Sequence, residues 1–176
     1  MRAGTTIYFV RHGETDWNAD GRLQGHTDRP LSDFGRRQAR QLAEELSDES
    51  LEAIYASDLA RARETAEIVG ERLGLPVMLE PELREKDWGT WEGLTAVERD
   101  RVEFVGESTE AHQERILHAL RRISERHPGG GSVLVVTHGG SMRRAQTATM
   151  GMAMPVVENC GRWACAYEDG AFRAVD

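Results

Sequence analysis

Two short apolar runs limit the fold of this chain more than any other feature. Ile7-Tyr8-Phe9-Val10 and Ser132-Val133-Leu134-Val135-Val136 are largely β-branched or aromatic, and polar residues do not alternate with apolar ones. Their length suits strands rather than helices, and the missing alternation points to strands covered on both faces. Such strands belong to parallel sheets, whose crossovers are helices.

Helical patterns fill the intervals. Ser32-Asp33 caps a helix reaching about Ser47, with Ala39, Leu42, Ala43 and Leu46 at helical spacing. Ala53-Ile54-Tyr55-Ala56 reads as a second short strand. Ser57 or Asp58 then caps a helix whose face includes Leu59, Ala62, Ala66, Val69 and Leu73, and Gly74 and Pro76 stop it. Val77-Met78-Leu79 is a third, brief strand. A helix from about Thr109 to His127 turns Ile116, Leu120 and Ile123 inward and breaks at Pro128-Gly129-Gly130-Gly131. Another follows Thr137-His138-Gly139-Gly140 and runs to about Met150. Trp163 to Val175, with a turn at Glu168-Asp169-Gly170, reads as a hairpin. Residues 18–33 and 83–93 have neither period and read as loops. The predicted fold is therefore α/β, a three-layer α/β/α sandwich with a mainly parallel central sheet.

Bulk properties narrow the function. At 176 residues, 39% hydrophobic and 30% charged, the chain suits one globular domain over residues 1–176. The net charge of -8 makes it a poor partner for nucleic acid, and an anion site must be a local arginine cluster on an acidic background. The apolar stretch after Met1–Thr6 is too short for a secretory signal, and no run approaches the roughly 18 residues of a membrane span. The expected location is cytoplasmic. Cys160 and Cys165 have no CxxC spacing and read as small, partly buried residues near the C-terminal strand, with a disulfide as the minor alternative.

The chemistry begins where the two apolar runs end. His12 and His138 each lie two residues beyond a run, and each is followed by glycine, which lets backbone approach a ligand. In parallel strands both would emerge at the carboxyl edge of the sheet, where ligands bind in α/β folds. Neutral imidazole is a nucleophile able to form a phosphoramidate, provided the phosphoryl oxygens are held and their charge matched. Planar guanidinium groups do this with paired hydrogen bonds. Arg11 adjoins His12, and Arg61 sits in the first turn of a helix at the same edge, whereas Arg63, Arg72 and Arg84 read as solvated surface residues. A zinc site competes weakly, since HExxH and CxxC spacings are absent and Arg11 and Arg61 would repel a cation.

These residues resemble the histidine phosphatase superfamily, the phosphoglycerate mutase-like family. Arg11-His12-Gly13-Glu14-Thr15 with Asn18 resembles its signature, and Ser57 to Ala66 its arginine helix. Leu83-Arg84-Glu85 with Trp88-Gly89 and Trp91-Glu92-Gly93 is similar to the segment carrying its acid, and Thr137-His138-Gly139-Gly140 to its second histidine turn. Gly106-Glu107-Ser108 is a weaker match. The resemblance spans about residues 7 to 160 with its motifs in family order. It implies that His12 attacks phosphorus in line, and that Arg11, Arg61 and His138 form the phosphate pocket. Glu85 would protonate the leaving oxygen and then activate water. Spacing alone does not choose Glu85 over Glu82, Asp87 or Glu92; the family pattern does. Thr15, Asn18, Gln24, Gly25 and Gly139 would contact phosphate or substrate. No metal or organic cofactor is implied. The expected partner is a small phosphorylated metabolite, with neither nucleic acid nor membrane, and the chain would act as a monomer or homodimer.

Three functions fit this pattern. A mutase must shield phosphohistidine from water, which calls for a closing lid. Few residues lie between Gly93 and Ser132 beyond one helix and its linkers, and no tail follows the last hairpin. Mutases of the family tend to be longer here, and Leu23-Gln24-Gly25 resembles its phosphatase branch. The expectation is a phosphatase of small phosphomonoesters, with a cofactor-dependent phosphoglycerate mutase-type phosphotransferase as the alternative. A non-catalytic phospho-ligand binding protein would have lost part of the set, yet Arg11, His12, Arg61, Glu85 and His138 are all present. The short stretch from Gly93 to Gly106 leaves substrate identity open.

Overall fold

The two apolar runs become neighbouring parallel strands at the centre of one sheet. They are β1 (Thr5–Arg11) and β4 (Ser132–Thr137), paired from Thr6↔Ser132 to Arg11↔Thr137. The computed structural model describes residues 4–152 and 154–175; residues 1–3, where the leader reading began, lie outside it, as do 153 and 176. With β2 (Ala53–Ala56), β3 (Val77–Leu79), β5 (Arg162–Glu168) and β6 (Ala171–Ala174), the spatial order is β3-β2-β4-β1-β5-β6. The first four strands in that order are mutually parallel. β5 returns antiparallel to β1, and β6 pairs antiparallel with β5.

Helices are α1 (Asp16–Ala19), α2 (Asp33–Glu45), α3 (Ala60–Leu73), α4 (Ala96–Arg99), α5 (Thr109–Glu125) and α6 (Gly139–Met150). On one face of the sheet, Val10, Ile54, Leu134 and Val136 pack against Leu42, Ala43 and Leu46 near α2 and Ala62, Ala66 and Val69 of α3. On the other, Ile7, Phe9, Tyr55, Val133 and Val135 meet Ile116, Leu120 and Ile123 of α5 and Met142 and Ala145 of α6. Alternate residues of one strand therefore enter different apolar layers, which is why its sequence shows no polar alternation. Each fully buried Leu, Ile, Val or Phe contributes about 1.5–3 kcal/mol, so the apolar layers hold the central strands firmly.

Three local readings change. Neither Ser57 nor Asp58 caps α3. Asp28, from the loop after α1, accepts the Ala60 N–H at 2.7 Å. Ser57 instead bonds His138, and Asp58 makes a two-pronged ion pair with Arg84 at 2.7 and 2.6 Å. Arg84 is thus half-buried and paired, not simply solvated. The segment 18–33 read as loop begins inside α1, which Thr15 and Asn18 start with a capping box. Cys160 and Cys165 are both free, and Cys165 is buried in β5.

Candidate active site

The register of β1 and β4 sets the centre of the site. Arg11 pairs with Thr137, so His12 and His138 are each the first residue beyond its strand, and the His12 N–H donates to the Thr137 carbonyl at 3.0 Å. The two imidazoles meet edge to face with centroids 5.2 Å apart. Both are buried.

The tautomer of His12 follows from its partner. Nδ1 lies 2.7 Å from the Gly13 carbonyl oxygen, which only accepts, so Nδ1 carries the proton and Nε2 keeps its lone pair. Burial and the neighbouring Arg61 and Arg11 guanidinium groups hold the pKa of His12 well below the ordinary histidine value. The ring is therefore neutral at pH 7, as a nucleophile must be. The Gly13 N–H donates to Thr65 Oγ1 at 3.0 Å, and Asn159 Nδ2 donates to the His12 carbonyl at 2.9 Å. Both bonds fix the backbone that aims the ring.

Arg11 and Arg61 stand beside it. Arg61 is 1% exposed; its NH2 donates to the Gly25 carbonyl at 2.7 Å and its NH1 to that of Thr27 at 3.2 Å. Burial lowers its pKa to about 10, which leaves it charged at neutral pH. Arg11 NH1 donates to the Val157 carbonyl at 2.8 Å. His138 Nε2 lies 2.8 Å from Ser57 Oγ, and burial and Arg61 press its pKa well below the ordinary value. Arg11 Nε, Arg61 Nε and His138 Nδ1 are buried without a protein partner. A buried unpaired group of this kind costs roughly 1–3 kcal/mol, a cost that a bound oxyanion removes.

Glu85 completes the arrangement. Its oxygens accept the Lys86 N–H at 2.8 Å and the Gly140 N–H at 2.9 Å, the latter in the first turn of α6. The competing carboxylates are engaged elsewhere. Glu92 accepts backbone N–H groups of His26, Thr27 and Trp88, and Glu82 pairs with Arg122. Asp87 accepts the Gly89 N–H. Only Glu85 among the four lines the cleft. Its segment is clamped by Arg115, which donates to the carbonyls of Glu82, Arg84 and Glu85 at 2.8, 2.9 and 3.2 Å while paired with Glu107 at 2.7 Å. The weak Gly106-Glu107-Ser108 match thus marks the support of the segment that carries Glu85, and Ser108 caps α5.

The cleft has a volume of about 510 Å³ and brings together Arg11, His12, Arg61 and Glu85 with Asn18, Gln24, Gly25 and Gly139, while His138 is wholly buried against His12 and is not part of the lining. Thr15 is a correction. It is wholly buried beneath the loop, where its hydroxyl contacts Gln24 Oε1 at 2.9 Å, and it does not line the cleft. Trp88 does line it, whereas Trp91 stacks behind Trp88. Sequence reasoning missed Ser57, His112, Lys86, Arg143 and Arg144. Ser141 Oγ donates to the Arg84 carbonyl at 3.1 Å, so it accepts from His112 Nε2 at 3.0 Å, and that N–H also lies 3.8 Å from Glu85. A helical count from Gly140 would have found Arg143 and Arg144 at i+3 and i+4. No local signal marks His112.

A neutral imidazole with an unprotonated Nε2, the guanidinium groups of Arg11 and Arg61, a second imidazole and a carboxyl group at the carboxyl edge of a parallel sheet form the kind of arrangement that can hold a phosphoryl group beside a nucleophile. The profile of the histidine phosphatase superfamily (branch 1) matches residues 7–175, and the chain belongs to that family. Phosphoglycerate mutase-like protein 4 of Arabidopsis thaliana is 40% identical over 78% of this chain and 67% of its own length. The uncharacterized phosphatase PhoE of Bacillus subtilis is 38% identical over 84% of this chain and 78% of its own. Among solved structures, Bacillus stearothermophilus YhfR superposes with a TM-score of 0.89 at 33% identity, covering 97% of this chain and 95% of its own. A mycobacterial glucosyl-3-phosphoglycerate phosphatase reaches 0.86 at 28% identity, covering 98% and 96%.

Proposed function

We propose that the chain is a metal-independent phosphatase of small phosphomonoesters, acting as one domain in the cytoplasm through a phosphohistidine at His12. The observation that carries this reading is the Nδ1–H bond to the Gly13 carbonyl, which leaves His12 Nε2 unprotonated between Arg11 and Arg61. Nε2 attacks phosphorus as the ester P–O bond breaks, and the leaving oxygen takes a proton from the Glu85 carboxyl group. Arg11, Arg61 and His138 hold the phosphoryl oxygens as charge redistributes. Water then attacks the phosphohistidine, Glu85 takes its proton, and phosphate departs with His12 restored. Hydrolysis rather than transfer back to a bound intermediate is favoured because none of residues 93–108 lines the cleft. That stretch packs instead beside Trp88 and Trp91, through Phe104 among others.

The test is quenched turnover of a labelled phosphomonoester, with phosphoglycerate mutase activity assayed alongside. The expected result is acid-labile, base-stable label on the protein, absent from His12→Ala together with nearly all turnover. The rate should be indifferent to chelators; among the described residues no group of three or more His, Cys, Asp or Glu could hold a metal ion. Substantial turnover by His12→Ala refutes the nucleophile, and dominant mutase activity refutes the phosphatase assignment.

A further inference from the structure

The cleft carries more positive charge than one phosphate group needs. Six of its lining residues are arginine or lysine (Arg11, Arg22, Arg61, Lys86, Arg143 and Arg144), against a single carboxylate, Glu85. The chain as a whole has a net charge of -8. Such a concentration of one sign in a cleft serves to hold opposite charge.

The six do not play one part. Arg11 and Arg61 flank His12 and match the charge of a phosphate dianion. Lys86 is nearly buried, bonded to Thr109 Oγ1 at 3.2 Å and lying 4.6 Å from the centroid of the Trp88 ring. Arg22 is tied to Glu98 and to the Gly93 carbonyl. Arg143 and Arg144 are different. Among the described residues neither forms an ion pair, and Arg143 Nε is buried with no partner at all. Elsewhere in the chain arginines near acidic residues do pair, as at Arg36, Arg72, Arg84, Arg115 and Arg122.

Their placement is set by α6. Gly140, Arg143 and Arg144 are related by i, i+3 and i+4 and so share one helix face, and all three line the cleft. The opposite face carries Met142 and Ala145 into the core. Gly140 receives Glu85, so the two arginines stand one turn farther along the helix than the reacting group. A rise of about 1.5 Å per residue puts them roughly 4.5–6 Å along the axis from Gly140. A substrate whose phosphoryl group sits between Arg11 and Arg61 would extend toward them by a few bonds.

We infer that the substrate bears a second oxyanion, a carboxylate or a second phosphate, two to four bonds from the phosphoester oxygen, and that Arg143 and Arg144 bind it. This rests on the phosphoryl site proposed above. Guanidinium groups suit both oxyanions because their paired N–H donors match two oxygens at once. Arg143 and Arg144 are thus specificity residues for the unreacting end of the substrate.

Equilibrium binding separates this inference from the catalytic one. His12→Ala, which cannot form the covalent intermediate, would be titrated calorimetrically with 3-phosphoglycerate and with glycerol 3-phosphate. The two ligands differ only in carboxylate against hydroxymethyl. A bisphosphate and its monophosphate of matching span, ethylene glycol bisphosphate and 2-hydroxyethyl phosphate, form the second arm and tell which oxyanion is preferred. The expected result is at least tenfold tighter binding of the doubly anionic member of at least one pair. In the Arg143→Gln/Arg144→Gln background that preference should collapse to threefold or less. Arg143→Lys/Arg144→Lys should retain part of it, which distinguishes lost charge from a disturbed helix. Equal affinities within both pairs, or a preference that survives the double glutamine change, overturns the inference. The phosphatase reading fails separately, if the unmodified protein hydrolyses none of these esters or carries no label on His12.

Discussion

Gly140→Ala should separate activity from stability. Gly140 belongs to α6 and does not have positive φ, so alanine suits its backbone. A Cβ there, however, would collide with the Glu85 carboxylate, closer than atoms pack. The obstructing atoms are the far end of a side chain, so folding can yield where catalysis cannot. Glu85 must swing aside, losing the 2.9 Å bond from the Gly140 N–H. A hydrogen bond to a charged group contributes about 1.5–3 kcal/mol, partly regained from water because the Glu85 side chain is 13% exposed. Alanine returns up to about 1 kcal/mol in helix propensity. The net destabilisation is then about 0–2 kcal/mol, a melting shift of no more than roughly 8 °C in a chain of this size. For the reaction, displacing a positioned acid by about 1 Å costs on the order of 100-fold, or about 2.7 kcal/mol of barrier. Single-turnover phosphorylation by an alkyl phosphate should fall by that factor. An aryl phosphate, whose leaving group needs little protonation, should be affected far less. Unchanged alkyl phosphate turnover, or equal losses with both esters, would refute the assignment of Glu85 as proton donor.

Two further perturbations test the support of the site. His12, His112 and His138 are all held neutral in the fold, mainly by burial, with His112 lowered to about 4. Their unfolded forms bind protons as pH drops below about 6.5 while the folded forms do not, so stability is full above that pH and declines as pH falls toward 4. Each histidine adds a slope of up to ~1.4 kcal/mol per pH unit. Urea midpoints measured from pH 7 to pH 4.5 should therefore decrease steadily, and His112→Gln, whose amide can still donate to Ser141, should flatten the curve; a flat profile in the parent protein contradicts the burial argument. Arg115→Ala should lower stability by about 2–3 kcal/mol, since it strands the half-buried Glu107 and frees three carbonyls. Thermal melting and kcat should drop together, and a loss of stability at constant kcat would show that the clamp does not position Glu85.

Much of this was legible because it depends on short-range pattern. Unalternating strands and their His-Gly ends announce a parallel sheet and a common edge, and β1 and β4 meet that expectation. The choice of Glu85 was not legible from spacing. Glu82, Asp87 and Glu92 are disqualified only by where their partners lie, and Glu92 bonds backbone more than sixty residues away in the chain. The cap of α3 failed to read for the same reason. Asp28 supplies it from 32 residues upstream, while the local candidates Ser57 and Asp58 are drawn off by His138 and Arg84. His112 carries no motif; its relevance arises because α5 brings it beside Ser141 and Glu85. Sequence patterns report what a residue does for its own element, and these residues act on another.

The pairing of Arg11 with Thr137 has a consequence for how this site can change over time. The separation of the two imidazoles is a counting relation between two backbones, not a product of any particular core side chain. Apolar layers can drift through many compositions and leave that count intact. Deleting or inserting one residue in either central strand cannot, because a slip of one step moves an imidazole about 3.3 Å and turns the strand's side chains to the wrong layer. In this molecule, the residue count of the two central strands is a stricter inheritance than the identity of the side chains within them.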